Sequence, residues 1–192
     1  MNHLLKGIAI LTHPIFLPFY SLIVYKPIIA KHNISTLTIS AVWIAFMYIS
    51  IPLLYFIYIR KIKLAFPSVD ERKSIYRAYS LVNFGFALVS IFLMQEYITF
   101  FLAATFLHLL MLFFAFIELK VSWHSAVWSF LLGTGLMIHY NYQFSDFGYL
   151  FEIASITILV GVIRWKANAH TLLQLVMGLA IGFLASTPIL FI

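Results

Sequence analysis

Long apolar runs separated by short polar clusters dominate the chain, and within the runs hydrophobic residues follow one another without a two-residue alternation. A helix needs about 20 predominantly apolar residues to cross the hydrocarbon core of a bilayer. Seven stretches approach that length: 7–29, 37–59, 79–94, 98–117, 122–138, 148–163 and 171–192. A membrane β-barrel would require alternating strands, so the continuous runs exclude it. The pattern predicts an all-α fold, a polytopic transmembrane helix bundle of six to seven spans. Neither an internal repeat nor a low-complexity linker interrupts it, so residues 1–192 read as a single integral membrane domain.

Composition makes the membrane reading firm. Of the 192 residues 64% are hydrophobic and only 9% charged, against about 25% charged in an average soluble domain. A soluble fold of this size has too much surface to hide that apolar content. Cysteine is absent, which removes disulfides and thiolate metal sites. The formal charge of +6 comes from basic residues beside the spans, so the expected partners are membrane lipids and anionic head groups rather than nucleic acid. The first apolar run contains His13, Pro14 and Pro18 and no A-x-A cleavage site follows it. It reads as a retained, irregular first span. The expected location is the inner (plasma) membrane of a bacterial-type cell.

Three polar clusters stand between the spans: Arg60 to Arg77, Glu118 to His124, and Arg164 to His170. Two spans separate each cluster from the next, and an even number of crossings returns the chain to the same face. All Lys and Arg except Lys26 and Lys31 then share that face, which the positive-inside rule would make cytoplasmic; basic residues kept to bind a ligand would give the same bias, so the side of the site stays open. Arg60, Lys61 and Lys63 read as anchors to anionic lipid.

Within these clusters, Ser122-Trp123-His124 and Asn168-Ala169-His170 share a local form. Each sets a good N-cap residue two positions before a histidine, at the start of an apolar helix. Both histidines are therefore expected in a first helical turn, where free backbone N–H groups favour an anion. Arg164, Arg72 and Lys120 add positive charge suited to phosphate oxygens. Two imidazoles beside an anion divide naturally into a nucleophile and a proton donor. Gln174 lies four residues after His170, on the same helical face, where its amide oxygen can accept from Nδ1–H and set the tautomer.

Arg164-x5-His170-x3-Gln174 resembles the third motif, S-R-x5-H-x3-D, of the type 2 phosphatidic acid phosphatase (PAP2) superfamily. Ser122-Trp123-His124 is similar to its second motif, P-S-G-H, and Asp70-Glu71-Arg72 to a remnant of the first, K-x6-R-P. The resemblance covers the chain from about Lys63 to Gln174. It implies a lipid phosphate or pyrophosphate phosphatase that uses neither metal nor cofactor and passes through a phosphohistidine. In that assignment His170 is the nucleophile and His124 the general acid. Arg164, Ser122, Arg72 and Lys120 hold the phosphoryl group, and Gln174 stands where the family places an aspartate. Ile163, Val121 and Trp123 replace the family's serine, proline and glycine, Ala65 its lysine and Lys73 its proline. The alternative is a catalytically inactive PAP2-like protein that binds a phospholipid head group or a partner.

Three other features carry weaker expectations. His108 lies in mid-span, where a hydrogen-bonded packing role competes with a proton path. Tyr140, Tyr142, Phe144, Phe147 and Tyr149 read as an interfacial aromatic belt. Gly178 and Gly182 form a G-x-x-x-G that permits close helix contact, within the chain or in a homodimer.

Overall fold

The structure, a computed structural model, describes residues 11–31, 46, 49–50, 54–55, 68–93, 97–144 and 147–191. These contain six α-helices: α1 (Leu17–Lys31), α2 (Val69–Leu93), α3 (Ile98–Phe116), α4 (Trp123–Tyr142), α5 (Gly148–Lys166) and α6 (Leu172–Ser186). Short 3₁₀ turns occupy Pro14–Phe16 and Thr187–Phe191. No strand occurs among the described residues. Four stretches are long and apolar enough to cross a membrane: Asp70–Phe92, Ile98–Phe116, Gly148–Lys166 and Leu172–Leu190. The described residues are thus all-helical in their regular structure and compatible with a multi-pass membrane protein.

Four such stretches among the described residues are fewer than the six to seven expected from sequence. Most of the run 37–59 lies outside the described residues. The first run is broken, as its prolines foretold: the 3₁₀ turn at Pro14–Phe16 precedes α1, which is 15 residues long. The third helix of the sequence reading starts at Val69 rather than Tyr79. A capping box explains the early start, with Glu71 N–H donating to Ser68 Oγ at 3.3 Å and Ser68 N–H to Glu71 Oε2 at 2.6 Å. Asp70 through Arg77, expected in an interhelical loop, is therefore helical.

Two compact units divide these elements: α2 with α3, and α1 with α4, α5 and α6. In the first, α2 and α3 form an antiparallel hairpin. Lys73 and Arg77, near the start of α2, lie 5.6 and 5.2 Å from the ring of Phe116 at the end of α3. Midway along, buried His108 has Nδ1 2.8 Å from the Ala104 carbonyl and 3.3 Å from Asn83 Nδ2, with Tyr79 stacked on its ring. His108 thus sits in a hydrogen-bonded packing arrangement. The hairpin ends in a left-handed residue, Glu118 (φ 59°), after which Leu119 N–H donates to Phe114 O at 2.9 Å.

The second unit is built around α4. Residues 121–131 are all buried, whereas α5 and α6 expose large apolar side chains such as Phe151, Ile158 and Leu173. This inside-out distribution suits a surface solvated by lipid. It also explains why α4 is missing from the four most apolar stretches. Its Ser125, Ser129, Gly133, Thr134 and Gly135 face protein neighbours, where small and polar residues support close helix packing.

Contacts along α4 fix the direction of its partners. Gly178 of α6 lies against Ser122 and Ser125, and Gly182 against Ala126 and Phe130. Further on, Asn141 Nδ2–H donates to Ile189 O at 3.0 Å. Residue numbers rise together, so α4 and α6 are parallel and start at the same level. On α5 the order reverses: Tyr149 O–H donates to Gly135 O at 3.1 Å and Thr157 O–H to Trp128 O at 3.3 Å. The C-terminus of α5 therefore meets the N-termini of α4 and α6.

Both glycines are buried inside this unit, and a Cβ on Gly178 would lie 2.6 Å from the Ser122 carbonyl. Of the two contacts the G-x-x-x-G spacing permits, the one within the chain is present, with both glycines set against α4.

Candidate functional site

The shared end of α4, α5 and α6 carries Ser122 to His124 of the second polar cluster and the whole of the third. Its geometry starts with how each helix begins or stops. Ser122 caps α4 as expected: its backbone is extended (φ −77°, ψ 107°), and its Oγ accepts from Ser125 N–H at 3.3 Å and from Ser125 O–H at 3.1 Å. His124 consequently occupies the first turn, as the sequence implied. Ser122 is fully buried and His124 7% exposed, so the Ser122 hydroxyl is engaged in capping and its N–H donates to Gln174 O at 3.1 Å. That last bond ties the two helix starts together.

The second triplet folds differently. Asn168 does not cap α6; it closes α5 from the left-handed region (φ 52°). Asn168 N–H donates to Trp165 O at 2.9 Å and Ala169 N–H to Arg164 O at 3.1 Å. This is the Schellman arrangement, for which asparagine is the commonest substitute for glycine. The cap of α6 is Thr171, and His170 sits just before it, outside the first turn. The expectation that His170 stands within a helical turn is thus corrected. Thr171-x-x-Gln174 forms a full capping box, a signal visible in the sequence but masked by the similarity of the two histidine triplets.

That box decides the chemistry of His170. Gln174 Oε1 lies 3.2 Å from Thr171 N–H and 3.2 Å from His170 Nδ1. Because a backbone N–H can only donate, the oxygen of the amide must face Thr171. The same oxygen then accepts from Nδ1–H, so that in the neutral ring Nε2 is the nitrogen without a proton. The expected pairing of His170 with Gln174 is present, and a second donor holds it in one orientation.

Arg164 lies in the last turn of α5, with its carbonyl bonded to the residue before His170. Its Nε is buried and has no hydrogen-bond partner among the described residues. Lys166 is exposed nearby in the same turn. Arg72 and Lys120, the other expected phosphate contacts, belong to the hairpin unit. There Arg72 lies in the first turns of α2 and Lys120 is exposed beyond α3.

A third histidine joins the end of the bundle. His13 caps the 3₁₀ turn, its Nδ1 accepting from Ile15 N–H at 3.2 Å. Its ring meets His124 at 5.2 Å and Trp123 at 5.7 Å, both edge-on. Trp128 Nε1–H donates to Thr12 O at 3.1 Å, fastening this turn to α4. Sequence reading treated His13 as a mark of irregular helix and missed this role, since nothing local links it to residues 110 positions away. Among the described residues no group of His, Asp and Glu is arranged to hold a metal ion.

The chain matches no family model, no curated protein and no solved structure.

Proposed function

We propose that the protein is a membrane lipid phosphate or pyrophosphate phosphatase acting through a phosphohistidine, a divergent PAP2-like enzyme. The observation that carries this reading is the pairing of His170 Nδ1 with Gln174 Oε1. Gln174 and Thr171 hold its Nδ1 side, leaving Nε2 as the nucleophilic atom. The lone pair of Nε2 attacks phosphorus and the bond to the lipid oxygen breaks. That oxygen takes a proton from His124. Water, passing a proton back to His124, then cleaves the P–N bond, releasing phosphate and restoring both imidazoles. Arg164, in the last turn of α5 with its carbonyl bonded to the residue before His170, supplies the guanidinium for the phosphoryl oxygens.

A second reading, a catalytically inactive protein that binds a phosphorylated head group, has its own support. His124 is 7% exposed and packed edge-on against His13, and an amide replaces the carboxylate that would stabilise an imidazolium. Phosphate release from lipid phosphates by the purified protein without metal separates the two. Activity that disappears in His170→Ala supports the enzyme. Binding without turnover, surviving His170→Ala and lost in Arg164→Ala, supports the second reading.

A further inference from the structure

His124, the proposed proton donor, is the second residue of α4. A helical side chain leans on the turn before its own Cα, and at this position α4 has no such turn to offer. The torsion about Cβ–Cγ of a histidine is broad as well. Helix geometry alone therefore leaves the rotation of the His124 imidazole loosely set. A proton donor works only when its N–H points at the oxygen that takes the proton, so a group from elsewhere in the chain has to set that rotation.

The 3₁₀ turn before α1 places such a group there. The His13 ring centroid lies 5.2 Å from that of His124 with the planes at 89°, and 5.7 Å from the ring of Trp123 at 82°. Rings at that distance and angle are in edge-to-face contact, so neither turns freely past the other. His13 is itself held. Its Nδ1 accepts from Ile15 N–H at 3.2 Å and its carbonyl from Phe16 N–H at 3.0 Å. Pro14 favours the extended backbone that His13 adopts (φ −67°, ψ 136°). Because Nδ1 accepts, the proton of the neutral His13 ring is on Nε2. Trp128, four residues after His124 and on the same face of α4, donates to Thr12 O at 3.1 Å and fastens the turn against that face.

We propose that His13 is a positioning residue for His124, a wall that keeps its imidazole turned toward the leaving oxygen. The proposal rests on the phosphatase reading, in which His124 gives that oxygen its proton. His13 takes up no proton and touches no substrate in this role. Two properties of its side chain can be separated: the nitrogen that caps the 3₁₀ turn and the ring that meets His124. His13→Asn keeps an acceptor for Ile15 N–H, asparagine being a good cap, and removes the ring. His13→Phe keeps a ring and removes the acceptor.

Phosphate release from hexadecyl phosphate by the full-length protein in detergent reads the catalytic side. His13→Asn is expected to lower kcat about tenfold with KM unchanged, and His13→Phe to keep kcat near that of the unmodified protein. Loss in His13→Phe alone would show that only the cap matters, and equal loss in both would show a merely structural role. Either result overturns the proposal and leaves the phosphatase reading standing, as does an unchanged kcat in both. Carbethoxylation of His124 by diethyl pyrocarbonate, followed on its peptide by mass spectrometry, gives a readout that needs no turnover. It should quicken severalfold in His13→Asn, where the wall is gone, and stay at the unmodified rate in His13→Phe. If the unmodified protein releases no phosphate, that pattern keeps His13 as the residue that holds His124 and removes the phosphatase reading. Any other pattern of His124 rates overturns the proposal, whatever the phosphate assay gives.

Discussion

Ser122-Trp123-His124 and Asn168-Ala169-His170 look alike as letters and behave differently as structure. Ser122 starts a helix, whereas Asn168 stops one and leaves the start of the next to Thr171. The difference lies in what precedes each triplet. Before Ser122 the chain has already left α3 through Glu118, so the serine is free to adopt an extended backbone. Before Asn168 the chain is still in α5, and asparagine is the residue that tolerates the left-handed turn. His124 is therefore drawn into a buried helical turn beside His13, while His170 remains at the junction, half-buried, with its Nδ1 held by Gln174. A shared pattern yields a shielded imidazole in one place and a more accessible one in the other.

Substitutions can break or sharpen this contrast. The largest effect is expected from Gly182→Leu, because any side chain there meets the backbone of Ala126 and separates the two helix starts. Overpacking of this kind costs about 3 kcal/mol, and thermal unfolding in detergent should show it. A change near zero would mean that α4 and α6 are not packed this closely. Gln174→Ala comes next, since it removes both the acceptor for His170 and one half of the capping box. It should cost about 1 kcal/mol in stability and, in the proposed enzyme, lower kcat by about 100-fold.

The near-isosteric Gln174→Glu keeps the reach of the side chain and the Thr171 bond while adding a carboxylate. A rise in phosphate release supports the tether as a catalytic device, and a flat response argues for a binding protein. Ser122→Ala should cost about 1 kcal/mol through loss of the α4 cap. Asn168→Gly is the smallest test, since glycine readily takes φ near 50°. Its unfolding temperature should stay level or rise, whereas an N-cap asparagine would lose a few tenths of a kcal/mol on the same change.

The polar end of the α4 unit was partly legible in advance. Gln174 was matched to His170 by helical spacing alone, and the structure contains that bond because both residues belong to one local motif. Ser122 was recognised as a cap for the same reason. Asn168 was misread because capping and stopping preferences overlap in one residue type, and only the backbone dihedral separates them. The early start of α2 at Val69 was missed although Ser68 and Glu71 spell a capping box, since the charged turn after them resembled a loop.

By itself the sequence determined what depends on sums over neighbours: apolar helices, an all-α membrane fold, helix caps and the His170–Gln174 pair. Tertiary structure alone decided that Gly178 and Gly182 would face α4 and that His13 would meet His124. The reason is physical. Hydropathy and capping are set by residues within a few positions of each other, whereas pairing of helix faces depends on the fit of two surfaces from distant parts of the chain.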